Sequence, residues 1–150
     1  MPLIVCASLV EKTTNQAALC RTCEVLGVAQ LVLPAPNSSW EFRKVTVSAH
    51  QWQPMVYCPP PELARWLDGQ PYRRVALTVT PGAQPLPKYQ FNENTMLVLG
   101  RELTGIPADV ANCCDDAVTI PQAGRVDSLN VQTAAAIAIY AYRLQWPATD

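Results

Sequence analysis

Charge is scarce in this 150-residue chain. Asp, Glu, Lys and Arg make up 15% of it, against about a quarter in an ordinary soluble domain. With 49% of residues hydrophobic, a monomer would carry a thin polar coat, so the composition predicts a sizeable self-association surface. The formal net charge of −1 argues against a free-standing protein that holds nucleic acid by electrostatics alone. An RNA substrate would call for an added RNA-binding domain or a partner protein. No run reaches the ~18 consecutive apolar residues of a membrane span, and the first residues lack the basic start of a signal peptide. These absences predict a soluble, intracellular, cytoplasmic protein without a membrane partner. Internal repeats and low-complexity tracts are also missing. The length suits one domain, residues 1–150, with a core that needs no staples.

Histidine is nearly absent, with His50 alone. A zinc site would therefore need a cysteine-dominated set, and the cysteine spacing, with Cys113 and Cys114 adjacent, does not offer one; no metal is expected. The six cysteines lie in segments that read as strand or helix, which predicts reduced thiols. Cys20-Arg21-Thr22-Cys23 has the C-x-x-C spacing of redox proteins, but lacks the Gly or Pro usual between such cysteines. Packing is the simpler reading.

What is present is alternation. Apolar runs of strand length occur at Leu3 to Leu9, Ala29 to Leu33, Met55 to Cys58, Val75 to Val79, Met96 to Leu99 and Ala117 to Ile120. Continuous runs indicate strands buried on both faces. Helical patterns fall between several of them, at Gln16 to Leu26 with Gly27 as its stop, at Pro61 to Leu67 before Gly69 and in a short turn from Pro107, and a long one, Val131 to Tyr142, follows the last run. Thr80 to Pro87 reads as a surface connection. The chain is α/β, with a mostly parallel sheet flanked by helices. Ligands in such sheets bind beyond the carboxyl ends of strands, where Thr13 to Asn15, Gly100 to Glu102 and Gly124 to Asn130 all fall.

Three segments carry candidate chemistry. In the first, Asn15 opens a helix and Arg21 follows six residues on, amid apolar positions. A guanidinium there must snorkel, form a structural ion pair or meet an anionic ligand. In the second, Leu97-Val98-Leu99-Gly100-Arg101-Glu102, a buried strand ends in Gly and then a carboxylate. Gly100 permits a tight turn or close approach of a ligand. In the third, Ile120-Pro121 leads to Ser128-Leu129-Asn130 at the start of the long apolar helix. Ser128 and Asn130 are either helix caps or ligand-gripping groups beside free backbone N–H groups.

In order and spacing, the three segments resemble the TrmH (SpoU) branch of the SPOUT methyltransferases. The resemblance spans nearly the whole chain, including Ala7-Ser8-Leu9, Leu19 to Val25, Val47-Ser48-Ala49 and Gln51-Trp52, and explains the C-x-x-C as family helix. Within that branch the similarity favours tRNA guanosine 2′-O-methyltransferases acting on the D-loop. A bare enzyme acting on the anticodon wobble nucleotide is the rival, and a catalytically idle RNA-binding or dimerisation module the third reading.

The resemblance implies a SPOUT fold whose C-terminal part forms a deep trefoil knot. It implies S-adenosylmethionine as methyl donor, with S-adenosylhomocysteine as product, held at Thr78, Leu99, Gly100, Ile120 and Leu129. It also implies a homodimer with a shared site, tRNA as partner, and Arg21, Asn15, Glu102, Ser128 and Asn130 as the catalytic set. Two departures stand out: Ala17 where the family usually has Gly, and the charged Arg125-Val126-Asp127 ahead of Ser128. The latter pair either contacts RNA or neutralises itself.

Overall fold

The computed structural model describes residues 3–149. Its strands are β1 (Ile4–Cys6), β2 (Gln30–Leu33), β3 (Met55–Tyr57), β4 (Arg73–Leu77), β5 (Gln84–Pro85), β6 (Thr95–Val98) and β7 (Asp116–Thr119). They form one sheet in the order β3-β2-β1-β6-β4-β7-β5, with every pairing parallel. The helices are α1 (Thr13–Val25), α2 (Trp40–Thr46), α3 (Leu63–Asp68), α4 (Ala108–Ala111) and α5 (Val131–Gln145).

The continuous apolar runs have a direct cause. Strand side chains alternate between faces, and here both faces are covered. Val5 of β1, Leu31 and Leu33 of β2 and Leu97 of β6 enter a core shared with α1, α2 and α5. Ile4 and Cys6, Val32, Met96 and Val98 enter a second core under α3 and α4. No helix among the described residues is long and apolar enough to cross a membrane.

Local chemistry sets the boundaries. Helix α1 ends as expected at Gly27, whose φ of +70° suits a residue without a side chain. The Gly27 N–H donates to Glu24 O (3.1 Å) and the Val28 N–H to Cys23 O (2.8 Å), closing the helix end. Arg143 of α5 clasps the same end, its Nε donating to Leu26 O at 2.8 Å. Strand β1 is shorter than its apolar run because the chain turns at once, with Val10 N–H donating to Ala7 O at 3.1 Å.

Two elements escape the periodicity reading. Helix α2 is too short to show a stripe; Ser39 caps it, its Oγ accepting from Phe42 N–H at 3.1 Å. Strand β5 is two residues inside the expected surface connection, recruited by the edge of β7. Helix α5 runs three residues beyond Tyr142, where Gln145 accepts from Phe91 N–H and donates to Tyr89 O, both at 2.8 Å.

Candidate active site

Strands β1 and β6 are neighbours, yet the chain leaves β1 toward β2 and leaves β6 toward β7. A crevice opens at such a switch point. Here Glu102 closes it. Its carboxylate accepts from Glu11 N–H (3.0 Å), Lys12 N–H (2.7 Å) and Asn15 Nδ2 (3.3 Å). Lys12 is the N-cap of α1 and makes no side-chain cap of its own, so Glu102 caps that helix from a loop 90 residues away. Partial burial by itself would raise this carboxyl. The two amides and Asn15 outweigh burial and hold it below its ordinary 4.5.

From Glu102 the polar chain continues to α5. Asn130 Oδ1 accepts from Gln132 N–H at 2.9 Å, capping α5, and Asn130 Nδ2 donates to Asn15 Oδ1 at 3.3 Å. A backbone amide can only donate, so it fixes which way Asn130 faces. That orientation fixes Asn15, whose Nδ2 is left to meet a carboxylate. One directional chain thus ties the second, first and third segments together.

Beside it lies a recess of about 250 Å³ over the ends of β4, β6 and β7. Leu77, Leu99, Ile106, Ile120 and Leu129 give it apolar walls, while Thr78, Thr104 and Ser128 add hydroxyls. Its floor depends on Gly100. A Cβ there would lie 2.6 Å from the backbone carbon of Gly105 and 2.8 Å from Ile106 N. The close approach expected at Gly100 is therefore made by the chain's own backbone. Arg101 and Gly105 exchange two backbone hydrogen bonds, Arg101 N–H to Gly105 O (2.9 Å) and Gly105 N–H to Arg101 O (3.1 Å), folding residues 101–105 back on themselves.

The sequence profile of the SpoU rRNA methylase family matches residues 2–140. This chain belongs to the SpoU family. Two SpoU relatives are named tRNA (guanosine(18)-2′-O)-methyltransferase. TARBP1 of Mus musculus is 40% identical over 148 residues, covering 95% of this chain and 9% of the relative. The Saccharomyces cerevisiae enzyme is 33% identical over 149 residues, covering 95% and 10%. The chain thus spans about a tenth of the length of these two proteins. An AdoMet-bound rRNA methyltransferase from Sinorhizobium meliloti shares the fold, with a TM-score of 0.87 at 22% identity over 98% of this chain and 57% of that one.

Against this SpoU frame, Thr78, Leu99, Gly100, Ile120 and Leu129 all line the recess, as do Glu102 and Ser128. Asn15 and Asn130 join Glu102 beside it. Arg21 is elsewhere: it is exposed on α1, off the recess wall. The expected structural ion pair is not found, since no acidic group within the described residues meets Arg21. Arg125 and Asp127 do not pair with each other either.

The recess also uses Arg101, Leu103, Thr104 and Gln122. Gly100 followed by Gly105 signalled a folded loop there, but only the fold shows which of its residues border the recess. All six cysteines are free. Burial pushes Cys20 up to about 11 and Cys23 higher still, the reverse of what a redox thiol needs. Among the described residues no cluster of three or more His, Cys, Asp or Glu could hold a metal ion.

Proposed function

We propose that this chain transfers a methyl group from S-adenosylmethionine to a ribose 2′-hydroxyl of tRNA, at a D-loop guanosine. The observation that carries the reading is the recess set against the Glu102–Asn15–Asn130 chain. A small-molecule pocket and a rigid polar edge share one end of the sheet. The names of the mouse and yeast relatives supply the nucleotide.

The recess suits the donor: apolar walls for an adenine, hydroxyls at Thr78 and Ser128, and close-packed backbone at Gly100. When bound, the sulfonium supplies an activated methyl group. The chain's task is then to align the 2′-hydroxyl and manage its proton. Glu102, Asn15 and Asn130 are positioning residues, fixing the starts of α1 and α5 relative to the recess. Ser128 stands on the wall within reach of a ligand. Arg21 binds an RNA phosphate or the developing oxyanion.

Arg21 and the recess are separate in one chain, which supports a homodimer that completes the site. The outward stripe of α1 carries Thr14, Arg21 and Val25, with Ala18 half-buried between them. Helix α1 is flanked by α5, whose own outward stripe is Ile137, Tyr140 and Leu144, all exposed. An Arg set beside an unpartnered apolar stripe is delivered to a second copy when the stripes pack. In the same reading the C-terminal segment is threaded as a trefoil knot, since residues 120–131 run past the loops after β4 and β6 to wall the recess.

The test is methyl transfer from labelled S-adenosylmethionine to tRNA transcripts. Label should enter a transcript with a D-loop guanosine and not one in which that nucleotide is 2′-deoxy. Label in the anticodon instead would support the wobble enzyme. Absence of both transfer and S-adenosylhomocysteine binding would leave an idle module. Near-normal turnover by an Arg21→Ala variant would remove Arg21 from the chemistry.

A further inference from the structure

Arg101 is the only cationic side chain on the recess wall among the described residues. The acid beside it, Glu102, is already occupied by the amides of Glu11 and Lys12. The root of the Arg101 side chain is rigid, because its N–H and C=O both bond to Gly105. Its Nε donates to Glu11 Oε1 at 3.3 Å, and Glu11 is held in turn by its own N–H on Glu102. Neither Nη group has a partner within the described residues. The Arg101 side chain is 33% exposed and that of Glu11 70%, so their contact is open to solvent and contributes little to folding. A guanidinium tethered at one nitrogen and open at two others is built to receive an oxyanion in fork geometry.

We propose that Arg101 binds the carboxylate of the amino-acid arm of the methyl donor, with Glu11 as its positioning residue. The assignment rests on the donor reading of the recess given above. An oxyanion reaching this point would be either that carboxylate or an RNA phosphate. Two observations favour the carboxylate. Arg101 belongs to the wall of a recess sized for a small molecule, alongside Leu99 and Gly100. It also presents its charge next to that of Glu11, and a cation and an anion side by side complement an α-amino-carboxylate zwitterion better than a phosphodiester of single sign. Arg21, exposed outside the recess and without a salt bridge among the described residues, is the better placed group for a phosphate.

The experiment is calorimetric titration of the chain with S-adenosylhomocysteine and with 5′-methylthioadenosine, which keeps the adenosine and the sulfur but lacks the amino-acid arm. Wild type should bind S-adenosylhomocysteine the more tightly. Arg101→Gln should weaken S-adenosylhomocysteine by about 10- to 100-fold, the worth of a charged hydrogen bond, and leave 5′-methylthioadenosine within about twofold. Arg101→Lys should recover part of the loss, and Glu11→Gln should cost a few-fold, also on S-adenosylhomocysteine alone. An unchanged S-adenosylhomocysteine affinity in Arg101→Gln would overturn the assignment, and a raised KM for RNA in that variant would move the anion to a phosphate. Equal loss of both ligands would overturn it too, making Arg101 a residue that shapes the recess. A wild-type chain that binds neither ligand would instead refute the donor reading itself.

Discussion

Gly100 and Glu102 show how much one position can hold. A methyl group at residue 100 would be driven into the Gly105–Ile106 backbone, which has no flexible end to yield. Gly100→Ala should therefore open the 101–105 loop, lower stability by about 1–3 kcal/mol and abolish S-adenosylhomocysteine binding, read by thermal melting and calorimetry. Glu102 makes a different prediction, in pH. Its folded pKa is lowered, so its stabilisation is full above the ordinary 4.5 and is lost as pH falls through the folded value. Glu102→Gln should melt below wild type at neutral pH, and the gap should close in acid as the wild-type carboxylate is protonated. Asp115 and Asp116 are lowered as well, chiefly by bonds to Arg74 and Arg73, and remain as an acid limb in the variant. A gap that stays constant with pH would count against Glu102 as an ionised cap. Both residues stood out in the sequence as a Gly and an acid after a buried strand. Asn15, which Glu102 meets, stood out as well; the Glu11 and Lys12 amides on Glu102 did not, because they lie about 90 residues away in the chain.

At the scale of elements, helix ends explain more than helix faces. The first and last helices pack along each other, and Arg143 of α5 closes the open carbonyls of α1 at Leu26 and Gly27. A cation at a helix C-terminus also meets the negative end of the dipole. Arg143→Ala should cost about 1–3 kcal/mol in denaturant unfolding, with little change in ligand affinity, since the clasp sits at the end of α1 away from Asn15. Helix α1 and Gly27 were legible from periodicity and a stop residue. Helix α2 was not, because seven residues give too few turns for a pattern, and only Ser39 marks its start. The cap-or-site choice at Asn130 has a double answer. One carboxamide has an acceptor and a donor, so Asn130 caps α5 with the first and reaches Asn15 with the second.

For the whole molecule, the apolar stripe of α5 is the feature a monomer leaves unexplained. Tyr140 is 58% and Leu144 68% exposed, against a chain poor in charge. If the proposed homodimer is formed through this stripe, Tyr140→Glu should convert it into a monomer by light scattering, keep S-adenosylhomocysteine binding, and lose methyl transfer, because in that proposal Arg21 acts at a second copy's recess. A monomeric wild type that is fully active would sink this arrangement. The sequence by itself determined the layered α/β plan, since short, mostly apolar runs of strand length alternating with helical patterns mark strands covered on both faces. It also determined the family, through three short segments whose order and spacing are local properties of the chain. Only the tertiary structure decided that Glu102 serves as the cap of α1, that Gly100 is filled by backbone, that Arg101 faces the recess and that Arg21 does not. Those facts depend on which loops the parallel strand order brings to one end of the sheet, and contacts across such distances leave no periodic trace in the chain.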